Sequence, residues 1–249
     1  MFAALLLPRF GLQAALRSDS AQGPTVLVEE EGPKARIREA NGAARAEGVE
    51  IGMSPAQAQA RSPELRFLSR NRKEEEKLRR LLREAACACS GQVEESAPGL
   101  CLLDLRRHPR FRKGGRGAGD SDPSDPAALP ARFRALGLTL QVGIGPTPAL
   151  AHWAARVARP CRIVEKGEEI AGELPIEETA PAELASLLRL WGVETPADFA
   201  ALPREGLAER LGREGISLWE RIQGKEDEPL HLLLPEEHFE VRQEWERPI

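Results

Sequence analysis

The sequence has no tyrosine, and its other aromatic residues are seven phenylalanines and four tryptophans. This scarcity argues against a surface that stacks many nucleic-acid bases, because such surfaces are built from aromatic rings. The net charge of −4 gives no overall attraction to a polyanion, so any contact with DNA must come from local basic patches. No apolar run approaches the ~18 residues that a membrane span needs, and we expect no membrane partner.

Cysteine is also rare, and the four cysteines (Cys87, Cys89, Cys101 and Cys161) include no Cys-x-x-Cys pair. We therefore expect reduced thiols rather than metal ligands. Residues 1–7 are apolar, but no basic residues precede the apolar run and Pro8-Arg9 follows at once, so we expect no signal peptide. These features predict a cytoplasmic protein without a cofactor.

The pattern of apolar residues predicts mixed strands and helices, followed by a helical region. Residues 100–104 form an apolar run behind Pro98-Gly99, which is typical of a buried strand entered through a turn. Further strands are predicted at residues 2–7, 25–28, 35–37, 65–68 and 138–144. Helices are predicted at residues 11–17, 41–48, 54–59, 72–88, 127–137, 148–158 and 180–224. Residues 106–126 predict a loop, and residues 162–176 predict short strands and turns.

Residues 93–105 read V-E-E-S-A-P-G-L-C-L-L-D-L. This segment resembles, without a gap, the second catalytic strand of Y-family (translesion) DNA polymerases, V-E-x-x-S-x-D-E-A-F-L-D-V. Val93, Glu94, Leu103 and Asp104 stand at matching positions. The two adjacent metal-binding carboxylates of the motif fall on Gly99 and Leu100.

Other blocks resemble the same family in the same order. Residues 5–12 resemble its D-x-D-x-F-F/Y-A segment, with Leu6 and Pro8 at the aspartate positions. Residues 36–53 resemble the fingers segment, and residues 140–160 resemble V-G-I-[SA]-x-N-K-x-x-A-K-x-A-S-x-x-A-K-P. Residues 190–203 and 224–230 resemble parts of the thumb.

The resemblance implies an α+β fold with a polymerase-type palm, small fingers and a helical thumb. It places the palm at residues 1–20 and 85–165, the fingers at 21–84 and the thumb at 166–234. Residues 235–249 would be a tail leading toward a little-finger domain that the match does not include. No sliding-clamp peptide is recognisable, so clamp recruitment is left open.

The resemblance also implies that catalysis is lost, because Leu6, Gly99 and Leu100 cannot hold the two metal ions of nucleotidyl transfer. Within the family the chain resembles the ImuB-type subgroup, which lacks the catalytic carboxylates. That implies an adaptor in DNA damage tolerance and the SOS response, with a RecA-like protein and an error-prone polymerase as partners. One alternative is a weak metal-dependent nucleotidyltransferase that uses displaced carboxylates such as Glu94, Glu95 or Asp104. Another is a shortened relic that makes protein contacts only.

Two arginines match phosphate-contacting regions of the family. Arg45 lies in the fingers block, and Arg159 stands in place of a lysine that contacts the triphosphate. Guanidinium groups bind phosphate bidentately, so a vestigial phosphate or nucleotide site is one interpretation. The other is a pair of solvated charges or salt bridges.

A basic arm follows the central strand, and we define it as residues 105–116. Its cations are Arg106, Arg107, Arg110, Arg112, Lys113 and Arg116. One interpretation is a flexible arm that contacts the DNA backbone. The other is a solvated loop on which Asp120, Asp122 and Asp125 fold back.

The thumb blocks suggest a helix-hairpin-helix, whose turn amides would bind a DNA phosphate. Gly192 is the glycine in a clear hairpin, and we predict it as a DNA contact. The glycine turn expected further upstream falls on residues 176–183, which contain no glycine but carry Glu177, Glu178 and Glu183. This acidic turn would repel a phosphate.

Overall fold

The computed structural model describes residues 1–17, 23–28, 35–111, 124–225 and 229–233. The strands are β1 (Phe2–Leu6), β2 (Thr25–Val28), β3 (Ile37–Ala40), β4 (Arg66–Ser69), β5 (Val93–Ala97), β6 (Leu100–Asp104), β7 (Gln141–Gly145) and β8 (Cys161–Ile163). The helices are α1 (Phe10–Leu16), α2 (Gly42–Ala46), α3 (Pro55–Arg61), α4 (Arg72–Cys89), α5 (Leu129–Ala135), α6 (Pro148–Val157), α7 (Glu168–Ala171), α8 (Ala182–Leu190), α9 (Pro196–Ala200) and α10 (Arg204–Ile222). Single 3₁₀ turns lie at Pro126–Ala128 and Ile176–Glu178.

Five strands form a large sheet in the order β5-β6-β1-β7-β8. Neighbouring strands are antiparallel except β7 and β8, which are parallel. The segment 93–105 is a hairpin, because β5 turns into β6 at Pro98-Gly99 and Gly99 adopts a φ of +81°. Gly99 suits this turn, since a positive φ is costly for residues with a side chain.

The two faces of the large sheet are covered by different helices. Successive side chains alternate between faces, so Leu5, Cys101 and Leu103 point into a core shared with Leu78 and Leu82 of α4. Helix α6 packs on the opposite face. Its approach depends on Gly143, where an added Cβ would lie 2.1 Å from the carbonyl oxygen of Ala151.

A small sheet forms from the segment between β1 and α4, in the order β3-β2-β4. Asn41 caps α2, because its side chain accepts from the N–H of Ala44. Ser54 and Gln57 form a capping box at the start of α3, with Pro55 as its first residue. The predicted N-cap at Ser54 is therefore confirmed.

Helices α7 to α10 surround a separate apolar cluster that includes Ile176, Leu188, Phe199 and Leu218. This cluster also contains Leu150 and Trp153 of α6, so the helical region is joined to the large sheet. Helix α10 is interrupted at Gly212, which has a φ of 59°. In the described part of the chain, no helix is long and apolar enough to cross a membrane.

Three predicted segments differ from the structure in their bounds or in their type of secondary structure. The strand expected at 138–144 begins at Gln141, because the N–H of Leu138 instead closes α5 by donating to Phe133 O. The strand expected at 35–37 extends through residues 37–40, where it pairs with β2. Within residues 162–176, expected to hold only strands and turns, Glu169 accepts from the N–H groups of residues 165 and 166 and thereby stabilises the start of α7.

Candidate functional site

The three positions at which the sequence analysis placed lost carboxylates lie together on the large sheet. Leu6 and Leu100 are directly paired residues of β1 and β6, and Gly99 immediately precedes β6. The carbonyl of Gly99 accepts from the N–H of Leu7 at 2.8 Å, which fixes the turn against β1. Leu6 packs against an apolar cluster that contains Ala4 and Leu100. The surface at this point is therefore hydrocarbon and offers no oxygen ligand from these side chains.

Gly99 also has no room for a side chain. An added Cβ would lie 2.9 Å from Cβ and Cδ2 of Phe10 in α1. Phe10 is buried, so it cannot easily move away. The turn therefore depends on glycine for both its backbone conformation and its packing.

The carboxylates nearest to this surface have other partners. Glu94 accepts from the N–H of His231 at 2.7 Å and from the hydroxyl of Ser96 at 2.5 Å. Glu95 forms an ion pair with Arg79 of α4. Among the described residues, no group of three or more His, Cys, Asp or Glu side chains is arranged to hold a metal ion.

Asp104 pairs with Arg106, whose Nη2 lies 2.5 Å from Asp104 Oδ2. Burial alone would raise the pKa of Asp104, but hydrogen bonds from the Arg106 side chain and backbone outweigh burial and hold the pKa below its ordinary value. Asp104 is thus an ionised partner of the arm's first arginine, at the end of β6 away from Leu100.

A cavity of about 720 Å³ opens beside Leu6 and contains the predicted arginines Arg45 and Arg159. Arg45 projects from α2, and Arg159 follows α6, so the fold brings together two residues 114 positions apart (159 − 45). Two further arginines, Arg9 and Arg156, line this cavity and were not predicted as site residues. We call these four residues the arginine cleft. A signal for both was present, since Arg9 lies inside the first resembling block and Arg156 inside the fourth.

Two glutamates share this cavity, and both are already engaged. Glu39 of β3 accepts from the N–H groups of Gly11 at 3.3 Å and Leu12 at 2.8 Å, at the start of α1. Glu178 forms an ion pair with Arg156. Glu39 therefore ties the small sheet to α1, and its negative charge interacts favourably with the positive end of the α1 dipole.

Arg9 lies among other positive charges in the cleft, and its pKa is below the ordinary value. Burial lowers its pKa, the positive charges of Arg45 and Arg159 lower it further, and Glu39 acts in the opposite direction. Neither Arg9 nor Arg45 forms an ion pair with any described residue. The cleft consequently keeps positive charge that the described part of the fold does not neutralise.

The described part of the basic arm is anchored to the fold. Arg106 pairs with Asp104 and lies 5.3 Å from the ring centroid of Phe2. Arg110 forms an ion pair with Asp125, one of the acids considered as folding back on the arm. Arg107 is exposed. Arg112, Lys113, Arg116, Asp120 and Asp122 lie outside the described residues.

The turn at Gly192 and the acidic turn at residues 176–183 both differ from a simple phosphate-binding hairpin. Gly192 has a φ of +79°, and its N–H donates to Arg189 O at 3.0 Å, so this amide already serves the end of α8. In the acidic turn, Glu177 pairs with Arg189 at 2.8 Å and Glu178 with Arg156. These ion pairs reduce the negative charge of the turn. Whether Gly192 contacts DNA stays a prediction.

A comparison with family models identifies the family of the chain. Residues 7–156 match the model of the impB/mucB/samB family, named IMS. The chain belongs to this family, which is part of the Y family. The resemblance inferred from the motifs is thereby confirmed, and we use the terms palm for the large sheet with its helices, fingers for the small sheet and thumb for the helical region.

Solved structures show the same fold. The chain is similar to a structure described as "Y-family DNA polymerase chimera Dbh-Dpo4(243-245)-Dbh", with a TM-score of 0.74 at 18% identity, covering 93% of this chain and 70% of that one. It is similar to DinB from Sulfolobus solfataricus, with a TM-score of 0.71 at 19% identity over 92% and 69% of the two chains. An insertion ternary complex of Dbh DNA polymerase gives a TM-score of 0.72 at 18% identity over 92% and 69%. The predicted α+β fold is confirmed.

Proposed function

We propose that this protein is a catalytically inactive, ImuB-like member of its family that acts as a DNA-binding and protein adaptor in DNA damage tolerance. The observation that carries the proposal is the apolar contact formed where the resemblance places the metal ligands. Leu6 and Leu100 face each other across β1 and β6, and Gly99 stands beside them. Two-metal nucleotidyl transfer requires clustered carboxylates at this point.

Displaced carboxylates are poor substitutes for the lost ones. Glu94 is held by the backbone of His231, and Glu95 is held by Arg79. Asp104 lies opposite Phe2 of β1, four residues along the strand from Leu100. Four residues of extended chain span about 13 Å, which is well beyond the about 4 Å that separates paired catalytic metals.

The first test is primer extension by the purified protein with Mg²⁺ and, separately, Mn²⁺. We expect no extension with any nucleotide, because in the described part of the chain no cluster of carboxylates is placed to hold the metals. Template-directed extension that a Glu94→Ala change abolishes would favour a weak nucleotidyltransferase with displaced ligands. Glu64→Ala, a change of an exposed carboxylate in the fingers, is the matched control.

DNA binding through the basic arm is the second part of the proposal. Arg107 and the arm residues beyond the described range (Arg112, Lys113 and Arg116) are its main candidates, with Gly192 of the thumb as a further one. Arg106 and Arg110 are weaker candidates, because each would first have to leave a carboxylate. A salt-titrated binding assay with primer–template DNA tests this part, and complete loss of binding at every salt concentration would favour a relic with protein contacts only.

The adaptor role further implies a RecA-like protein and an error-prone polymerase as partners, and a cytoplasmic location. The domain division at residues 20, 85 and 165 belongs to the same proposal. Co-purification with each candidate partner tests the adaptor role directly. We expect a complex that survives nuclease treatment, since an adaptor holds its partners through protein contacts.

A further inference from the structure

We propose that an apolar surface of the thumb, formed by Leu187, Leu190 and Trp191, docks an amphipathic helix of a partner protein whose polar side carries lysine or arginine. We call these three residues the thumb patch. The proposal deepens the adaptor role proposed above and rests on it, since it gives one partner of the adaptor a surface on which to bind.

The thumb patch gathers apolar side chains that the fold leaves in contact with solvent. Of the seven large apolar side chains that are exposed in the described part of the chain, three lie within residues 187–191. Leu190 is 85% exposed, the largest fraction of the seven, and Leu187 and Trp191 are 38% and 41% exposed. Positions three and four residues apart share one side of a helix, so the three side chains lie together at the end of α8. Clustered exposed apolar groups of this kind mark interaction sites.

The opposite side of α8 already packs inside the thumb. Leu184 and Leu188 are buried there in the apolar cluster of the helical region. The last turns of α8 are therefore apolar on both sides, which is typical of a helix that is covered on both sides. Arg210 of α10 lies 6.0 Å from the ring centroid of Trp191, and this cation–π contact favours an ordered ring at the surface. The exposed side of α8 is thus suited to a second apolar surface.

The charge around the thumb patch indicates a basic partner. Residues 168–194 contain seven glutamates and one arginine, a net charge of −6 (1 − 7). Three of these glutamates form ion pairs with arginines. Glu183 and Glu194 form no ion pair with any described residue, and Glu183 lies four residues before Leu187, on the same side of α8. Lysine or arginine side chains beside the apolar groups of a partner would complement these carboxylates.

The same charge argues against three other occupants. It would repel DNA, so a DNA contact at the adjoining Gly192 and the docking proposed here are alternatives for this turn. A second copy of this chain would bring the same acidic surface to a symmetric contact, and three partly exposed side chains fall short of the about 800 Å² per partner of a stable interface. Residues 236–249 of the chain itself contain five glutamates and two arginines, which is a net charge of the wrong sign. A short basic helix with apolar side chains three and four residues apart fits the patch best.

The decisive experiment is a fluorescence anisotropy titration of the full chain into a labelled amphipathic helical peptide made of leucine and lysine. We expect binding that weakens as the salt concentration rises. Leu190→Ser should weaken it about tenfold, because it removes an apolar contact and leaves every charge in place. Glu194→Gln should weaken it about threefold. The control Ile51→Ser removes a side chain of the fingers that is 59% exposed, and it should leave the affinity unchanged.

The other outcomes would overturn the proposal. These are no binding of the leucine–lysine peptide, or binding that is the same in Leu190→Ser and Trp191→Ala. Tighter binding of a leucine–glutamate peptide of the same pattern, binding of duplex DNA that Leu190→Ser abolishes, or a dimer in sedimentation that Leu190→Ser dissociates would each assign the patch to another occupant. Circular dichroism of each variant checks folding, and Leu190→Ser should fold because the side chain that it replaces is largely in solvent.

Co-purification with the RecA-like protein and the error-prone polymerase connects the thumb patch to the adaptor role. We expect Leu190→Ser to weaken the complex with one of them and Ile51→Ser to weaken neither. Two complexes that both persist unchanged in Leu190→Ser would refute the thumb patch as the docking surface and leave the adaptor role standing. Absence of both complexes with the unchanged protein would refute the adaptor role, whereas the peptide titration decides the thumb patch separately.

Discussion

Placing acidic residues at the three positions where the family motif carries metal ligands should destabilise the protein rather than produce catalysis. The change is the triple variant Leu6→Asp, Gly99→Asp and Leu100→Glu. Leu100 is 6% exposed and packs in the cluster with Ala4 and Leu102, so a carboxylate there enters an apolar environment. Gly99 has a positive φ and faces Phe10, so a side chain there is both strained and obstructed.

The expected size of the loss follows from these two sites. Losing the burial of the Leu100 side chain costs about 2 kcal/mol. An unpaired carboxylate at the same place costs a few kcal/mol more, even if its pKa rises so that it is partly neutral. A Cβ at Gly99 adds about 1 kcal/mol for the left-handed backbone, before any displacement of Phe10. The total of about 6 kcal/mol is comparable with the whole stability of many domains, about 5–15 kcal/mol.

Urea denaturation followed by circular dichroism measures this loss, and Gly137 offers a matched control. Gly137 also has a positive φ, of 74°, but an added Cβ there meets no atom within 4 Å. Gly137→Asp should therefore show the backbone cost alone, and Gly99→Asp should exceed it because of the overlap with Phe10. A folded triple variant that is stabilised by Mg²⁺ and extends a primer would show that the reasoning about this surface is wrong.

Three further predictions concern other parts of the molecule. Burial, followed by the charge of Arg156, lowers the pKa of His152 from 6.5 to about 4, against the opposing effect of Glu178. As the pH falls, the unfolded chain therefore takes up a proton on His152 before the folded chain does. The free energy of unfolding should be highest above about pH 6.5 and should fall by roughly 3 kcal/mol as the pH drops to about 4. His152→Gln should flatten this pH dependence in urea titrations, and an unchanged profile would contradict it. For the arm, replacing Arg112 and Lys113 should lower the slope of log K against log salt by about 2, while Arg110→Ala alone should leave it unchanged because Arg110 is paired with Asp125. Gly143→Ala should strongly lower the melting temperature or prevent folding, because the added Cβ would overlap the backbone of α6. A melting temperature like that of the unchanged protein would refute this packing.

The sequence could predict those features of the site that depend only on where a residue stands along a strand. Once β1 and β6 are identified, the motif resemblance places Leu6 and Leu100 together, and the structure pairs them directly. Helix starts were predictable for a similar local reason, since Ser54 and Pro55 determine the first turn of α3 through adjacent residues. In both cases the information lies within a few residues of the feature.

The unpredicted features depend on contacts between distant residues. Glu39 bonds to amides 27 and 28 residues away, and Glu94 accepts from a backbone N–H 137 residues away. A side chain that binds a distant backbone amide leaves no periodic pattern in the sequence, because the amide belongs to whatever residue the fold places there. Arg9 was not predicted as a site residue for a related reason. Its importance depends on the neighbouring charges of Arg45 and Arg159, which only the fold brings near it.

The lost carboxylates and the arginine cleft are connected by charge balance. In a two-metal site, acidic side chains attract cations, and these cations in turn neutralise the phosphates of the substrate. Here the acidic positions are occupied by Leu6, Gly99 and Leu100, while the cations Arg45 and Arg159 remain and Arg9 stands beside them. Removing the acids removes the groups that would hold metals and that would compete with a phosphate for the arginines. Such a cleft should bind metals less well, so the proposed loss of catalysis and the phosphate contacts predicted for Arg45 and Arg159 are compatible with the same substitutions.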